Sequence, residues 1–446
     1  MTRNFPDSFL WGVSTASYQV EGAVREGGRV PSIWDTFAHT PGKIAGSDTG
    51  DVACDVYHRY AEDIEQARQM GLGAFRFSVA WPRAINQVGL DYYDRVVDHL
   101  CQAGIAPVVT LYHWDLPQYL QDAGGWANRD TAYYFADYAE SVAKVLGDRV
   151  AIWTTLNEPW CTAFLGYASG EHAPGVRNQA AALAAAHHLN LAHGLGAQAV
   201  RAVLPSAKIS VSLNLNVARP VTDSLADAAA TARVMRVAND IFLLPMLEGR
   251  YDPQLFDDTA AITNWAFVRD GDLAQIHQPL GVLGVNYYSP SYVSFQPASQ
   301  SNDCFPGCDH VAFAPAKPPL TAMGWSQEPS GITELLTGLA RRFDGLDLMV
   351  TENGAAFEDV VGADGLVHDP ARVAYLDAHI NAVADAIDAG APVRGYMLWS
   401  LLDNFEWACG YSRRFGLLYT DFASQQRTWK DSAFWYQNVA STNCLS

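Results

Sequence analysis

Short apolar runs alternate with longer amphipathic stretches along the whole chain. The runs Phe9–Ser17, Ala74–Ala80, Pro107–His113, Val150–Glu158, Lys208–Asn214, Val282–Tyr288, Leu346–Glu352 and Val393–Leu401 have the length and composition of strands. Helical spacing of apolar residues predicts helices over Asp55–Met70, Asp91–Ala103, Thr131–Leu146, Gln179–Val203, Ser224–Phe242, Gly331–Phe343 and Asp369–Ala389. Such alternation predicts a mainly parallel α/β sheet. Eight strand runs predict that it closes as a (β/α)8 (TIM) barrel. A dinucleotide-binding open sheet would need a Gly-rich turn after the first strand, and Trp11-Gly12-Val13-Ser14 supplies none. No Pro/Gly/Ser linker divides the chain, so residues 1–446 are expected to form a single barrel domain. Ser289–Trp325 lacks periodicity and reads as a long, elaborated βα loop.

Composition narrows the class. With 49% hydrophobic and 17% charged residues, the chain reads as a well-packed globular protein. Its net charge of -19 argues against nucleic acid and anionic membrane as partners. Met1-Thr2-Arg3-Asn4-Phe5-Pro6-Asp7 does not resemble a secretory leader, and no run of 18 apolar residues occurs. The seven cysteines, at 54, 101, 161, 304, 308, 409 and 444, suit a reducing cytoplasm. Cys304 and Cys308 form the one close pair, and without a second ligand pair nearby zinc is not expected.

Two glutamates occupy matched settings. Glu158 lies in Thr155-Leu156-Asn157-Glu158-Pro159 and Glu352 in Thr351-Glu352-Asn353-Gly354. Each follows a strand run and precedes a breaker. A lone glutamate at a strand end is usually a surface carboxylate. These two share the C-terminal strand ends, where barrels place their sites, with many polar and aromatic residues. Those ends hold Gln19, Arg76, His113-Trp114, Asn157, Asn286-Tyr287-Tyr288 and the stretch Trp399–Trp407. Amides, imidazole and carboxylates bind the hydroxyl rim of a sugar, and indoles stack on its C–H face. Paired carboxylates are what glycosidic bond cleavage requires. The end of the fifth run, Asn214, is not counted in this inventory.

On these motifs, and on Arg413-Arg414-Phe415-Gly416-Leu417, the chain resembles glycoside hydrolase family 1, the β-glucosidase family. The resemblance runs from Phe9-Leu10-Trp11-Gly12 to Trp429-Lys430-Asp431-Ser432. It implies a retaining β-glycosidase acting on a small-molecule β-glycoside. The expected substrates are aryl and alkyl β-glucosides and short β-glucans such as cellobiose. It implies Glu352 as nucleophile and Glu158 as acid/base, with Arg76, Asn286 and Tyr288 in support. Gln19, His113, Asn157, Glu406 and Trp407 would hold the non-reducing sugar over a floor formed by Trp399. Trp114 and Phe415 would form walls, and Trp325 would stack the leaving-group sugar. The resemblance implies no metal and no cofactor.

Alternatives within the family are a β-galactosidase, a β-fucosidase or a transglycosidase. A non-catalytic sugar-binding barrel would lack one of the carboxylates. Phosphoglycosidase relatives carry Ser at the position of Glu406, and thioglucosidase relatives carry Gln at that of Glu158. The chain departs from the family pattern after Arg83, where Ala84-Ile85-Asn86-Gln87-Val88 makes a shortened connection. This segment is expected beside the mouth of the site, and so to affect leaving-group preference. His187, His188 and His193 read as helix packing; Glu21 and His172 are given no chemistry.

Overall fold

The computed structural model describes residues 2–298 and 302–445. Each predicted strand run contains one barrel strand. These are β1 (Leu10–Ser14), β2 (Ala74–Ser78), β3 (Ala106–Tyr112), β4 (Ile152–Asn157), β5 (Ile209–Asn214), β6 (Val282–Asn286), β7 (Leu348–Asn353) and β8 (Val393–Trp399). They pair in sequence order, each parallel to the next, and β8 closes on β1.

A helix follows each strand. These are α1 (Val56–Gln69), α2 (Gln87–Gln102), α3 (Asp130–Leu146), α4 (Gln179–Val203), α5 (Leu225–Met235), α6 (Ser330–Arg342), α7 (Pro370–Asp388) and α8 (Asp431–Thr442). The helix α5 continues through a π-helical segment, Arg236–Asp240, into Ile241–Glu248. The start of α2 comes earlier than its apolar pattern suggests. Asn86 caps it by accepting a hydrogen bond from the Gly89 amide at 3.1 Å. The loop Ser289–Trp325 is more ordered than its composition implies, although residues 299–301 lie outside the described residues. Ser291–Phe295 pairs with Val311–Phe313 and with Ala218–Pro220 in a small three-stranded sheet.

Inside the barrel, Ala74, Val108, Ile152, Val282, Met349 and Met397 form one apolar layer. Strand side chains alternate in direction, so two residues beyond Ala74 the inward position is Arg76. The apolar plug thus gives way to a polar layer toward the C-terminal mouth. Both strands that carry a glutamate lose regular register just before it, β4 between Thr154 and Asn157 and β7 between Val350 and Glu352. Such irregularities re-aim side chains beside active sites. Gly354, the breaker after Glu352, is required by close approach. A Cβ there would lie 1.8 Å from the Trp399 carbonyl oxygen.

The long connection after β8 is held by buried charge. Lys430 Nζ lies 2.5 Å from Asp359 and 2.7 Å from Asp403. Asp403 also accepts from the Gly416 amide at 2.9 Å and from Arg414 at 2.7 Å. Arg372 joins the cluster through Asp359 and Asp369. Lys430, Asp359, Asp403 and Arg372 are all buried, so each charge depends on its partners. Replacing Lys430 by Met would take a buried cation from two carboxylates, leaving Asp359 to Arg372 and Asp403 to Arg414. It should cost about 3–5 kcal/mol of stability, read as a lowered midpoint in urea unfolding.

Candidate active site

A cavity of about 680 Å³ opens at the C-terminal end of the barrel and is lined by both Glu158 and Glu352. Glu352 lies at the end of β7, only 4% exposed. Arg76, fully buried on β2, donates from Nη1 to its Oε1 at 2.7 Å. The Tyr288 hydroxyl donates to Oε2 at 2.8 Å. The other arm of the Arg76 fork donates to Asn157 Oδ1 at 2.6 Å. One guanidinium therefore spaces the ends of β4 and β7. Arg76 and Tyr288, two of the three residues expected in support, lie in contact with Glu352.

Glu158 has a different setting. It follows β4 with φ at +45°, in the left-handed region, and its amide donates to the Ser212 carbonyl at 2.8 Å. Asn286 Nδ2 donates to its Oε1 at 2.8 Å, and the Cys161 thiol lies 3.2 Å from its Oε2. Among the described residues no cation touches it. Burial first, and the charge of Glu352 second, raise its pKa well above the usual carboxylate range. The two carboxyl groups are thus surrounded unequally, one by a cation and one by neutral groups.

The amides between them form a chain. Asn286 Nδ2 also reaches Asn157 Oδ1 at 3.1 Å, and Thr351 Oγ1 donates to Asn286 Oδ1 at 2.7 Å. Because Asn157 Oδ1 accepts from Arg76 and Asn286, its Nδ2 faces His113 Nε2, at 3.0 Å. Burial, and secondarily Arg76, hold the His113 pKa well below its ordinary value, so the ring is neutral and accepts that bond. Gln19 donates to Asn404 Oδ1 and the Phe405 carbonyl at 3.1 and 2.9 Å, with Glu406 at 3.4 Å. Glu406 is pushed up to about 8 by burial, then by Glu352 and Glu158. Gln19 Oε1 and His113 Nδ1 are buried without partners among the described residues. These two atoms are free to bond a polar ligand.

Trp399 and Trp407 line the same cavity, and His113 stacks near both, with ring centres 5.9 Å apart in each case. Trp114 packs on Trp407 at 4.5 Å, and its indole NH donates to the Asn157 carbonyl at 2.9 Å. Trp325 packs against Tyr288 at 5.3 Å and Phe415 at 6.2 Å, in one apolar cluster with Trp399. Every site residue expected from sequence therefore lies in the cavity or is bonded to a residue that lines it.

Several cavity residues escaped the sequence reading. Asn214, at the end of β5, lines the cavity, so the strand end left out of the inventory contributes as well. Cys161 enters from the start of the π-helical segment Cys161–Ser169 that follows β4, and Trp160 from the position that caps it. His172, given no chemistry from sequence, lines the cavity and packs on Trp114 at 5.5 Å. Two other expectations need correction. Ala84, Ile85, Asn86 and Gln87 do not border this mouth. They line a separate outer groove of about 590 Å³ with Trp81, Tyr119 and Tyr134. The early start of α2 draws them there. His187 is not merely packed, because it lies 2.8 Å from Asp272, which also pairs with Arg129. Glu21 is structural, paired with Arg83 at 3.0 Å and accepting from Tyr93 at 2.6 Å. Among the described residues no cluster of three or more His, Cys, Asp or Glu side chains could hold a metal.

A parallel barrel with two unequally surrounded carboxylates among amides and indoles at its mouth has the architecture of a glycoside hydrolase. The chain belongs to glycosyl hydrolase family 1, whose family model matches residues 1–445. It is 52% identical to a bifunctional beta-D-glucosidase/beta-D-fucosidase of Bifidobacterium breve, over 98% of each chain. It is 44% identical to beta-glucosidase A of Thermotoga maritima, over 99% of each. Among solved structures, a psychrophilic beta-glucosidase from Micrococcus antarcticus superposes with a TM-score of 0.96 at 44% identity, covering 99% of this chain and 98% of that one.

The Arg76 fork should not tolerate lysine, which keeps the charge but cannot reach Glu352 and Asn157 together. Arg76→Lys should lower kcat/KM on an aryl β-glucoside by about 100-fold, with the far-UV circular dichroism spectrum unchanged.

Proposed function

We propose that the protein is a retaining β-glucosidase with Glu352 as nucleophile and Glu158 as acid/base. The observation that carries this reading is the unequal surroundings of the two carboxyl groups. Glu352, against Arg76, attacks the anomeric carbon as a carboxylate. Glu158, buried beside neutral donors, protonates the departing glycosidic oxygen. A glycosyl ester on Glu352 results. Esterification removes the Glu352 charge, and Glu158, now ionised, takes a proton from water as that water attacks the anomeric carbon. Free sugar leaves with its β configuration retained.

Gln19, His113, Asn157, Glu406 and Trp407 hold the non-reducing sugar above Trp399, and Trp114 and Phe415 wall it. Asn286 and Tyr288 act through the two glutamates. Trp325 stacks the leaving group. Substrates are aryl and alkyl β-glucosides and short β-glucans such as cellobiose, which gives the enzyme a place in cellulose breakdown. Residues 1–446 act as one catalytic unit, without nucleic acid or membrane as partner. No helix among the described residues is long and apolar enough to cross a membrane. The free cysteines support a reducing, cytoplasmic setting. A second reading, β-fucosidase activity at the same site, is favoured by the name of the Bifidobacterium relative.

Replacing Glu352 by Gly should cut turnover of an aryl β-glucoside by about 10⁴-fold or more. Azide should restore activity and yield an α-glucosyl azide; free glucose as the sole rescued product, or wild-type turnover without azide, would refute the assignment. Acid catalysis by Glu158 also fixes a pH dependence. Its protonated form is the active one, so kcat/KM should fall as pH rises through its raised pKa, well above the ordinary glutamate value of about 4.3. Trapping Glu352 as a 2-fluoroglucosyl ester removes the second cause of that shift. The Glu158 carboxyl should then titrate at lower pH in ¹³C NMR; an unchanged titration would remove the coupling from the mechanism.

A further inference from the structure

Asn286 accounts for one oxygen of Glu158. Among the described residues, the hydrogen-bond partner of the other oxygen is Cys161, with Sγ 3.2 Å from Oε2. The chain geometry explains the approach. Glu158 has a left-handed backbone and then enters the turn Pro159-Trp160-Cys161, where the Cys161 amide donates to the Glu158 carbonyl at 3.0 Å. One turn on, the thiol lies back over the carboxyl group. Cys161 is buried and lines the active-site cavity. Asn214 Nδ2 donates to its sulfur at 3.5 Å, from the end of β5. The contact therefore belongs to a short chain, Asn214 to Cys161 to Glu158, that runs across two strand ends.

A small apolar residue would fill the same space. What a thiol adds follows from what Glu158 must do. An amide N–H can only donate, so Asn286 always favours the ionised carboxylate. A thiol is both a weak donor and a weak acceptor. It can accept from a carboxyl O–H and, after rotation of S–H, donate to a carboxylate, without binding either form strongly.

Building on the assignment of Glu158 as acid/base, we propose that Cys161 is a positioning residue for it. The thiol holds Oε2 as an acceptor while Glu158 carries its proton, and as a donor while Glu158 is ionised. The thiol keeps its own proton throughout. The proton that Glu158 gives departs with the leaving group, a second proton taken from the attacking water replaces it, and no bond to sulfur forms or breaks. Burial, then the charge of Glu158, keep the thiol pKa far above its ordinary range, so Cys161 remains a neutral partner rather than a nucleophile. The other titratable groups that face Glu158 are Glu352 from β7, Arg76 from β2, Tyr288 beyond β6 and Glu406 from the connection after β8.

The test compares wild type, Cys161→Val and Cys161→Ser on two substrates. Methyl β-glucoside has a leaving group that needs protonation; 2,4-dinitrophenyl β-glucoside does not. With Val, kcat/KM on the methyl glucoside should fall about three- to tenfold, the size of one hydrogen bond. On the dinitrophenyl glucoside it should change less than twofold. The alkaline limb of the methyl glucoside profile should move to higher pH, because a donor to the ionised form has been lost. Ser, which donates and accepts, should restore both the rate and the limb. Equal losses on both substrates, an unmoved limb, or failure of Ser to rescue would each overturn the proposal. If the Val protein does not fold, Cys161→Ala carries the same comparison. A Glu158→Ala control separates the two layers of the argument. Should it impair both substrates equally in kcat/KM, the acid/base assignment itself is wrong.

Discussion

The site depends on one buried guanidinium. Arg76 is fully buried in the barrel, at the level where the apolar layer of Ala74, Val108 and Met349 ends. A charge so placed is tolerable only if its hydrogen bonds are made, and both arms of the fork are engaged, one by Glu352 and one by Asn157. Nearly everything else at the mouth follows from that requirement. Arg76 holds β7 and β4 at a fixed spacing, and it turns the Asn157 amide so that Nδ2 faces His113. It also helps keep His113 neutral. The setting of Glu352 and the orientation of the Asn157 and His113 side chains thus rest on one cation.

The same cation sets an electrostatic limit. Glu158, Glu352 and Glu406 share one cavity, and each of the first two raises the pKa of Glu406. One guanidinium cannot neutralise three carboxylates. It bonds Glu352 and leaves the other two to burial and mutual repulsion, which favour their protonated forms over the opposing pull of neutral donors. The division of labour between the glutamates is therefore a matter of which one reaches the arginine. Register irregularities at the ends of β4 and β7 decide that, together with the left-handed backbone at Glu158.

Much of this was legible in the residues. Strand and helix alternation carries the barrel because each element must bury one apolar face, and that need writes itself into local periodicity. The glutamates were legible because Pro159 and Gly354 mark the turns that expose them. Contacts made across the barrel were not. Cys161 has no signature of its own, since its role depends on a turn that brings it back over Glu158. Asn214 looked like any strand-end amide. His172 reaches the site through tertiary packing on Trp34 and Trp114, which no local pattern encodes. The segment after Arg83 was misplaced because its length was read without the Asn86 cap, which starts α2 early and turns these residues outward.

Lys430 gives the charge cluster a further consequence, one of timing. The connection that carries Glu406, Trp407 and Phe415 is anchored through Asp403 to a lysine near the C-terminal end of the chain, beside the short pairing of Arg427–Trp429 with Leu418–Thr420. During synthesis both glutamates, Arg76 and seven of the barrel strands leave the ribosome well before that anchor exists. The residues that carry Glu406, Trp407 and Phe415 therefore gain their lysine anchor only after the strands bearing Glu158 and Glu352 have been made.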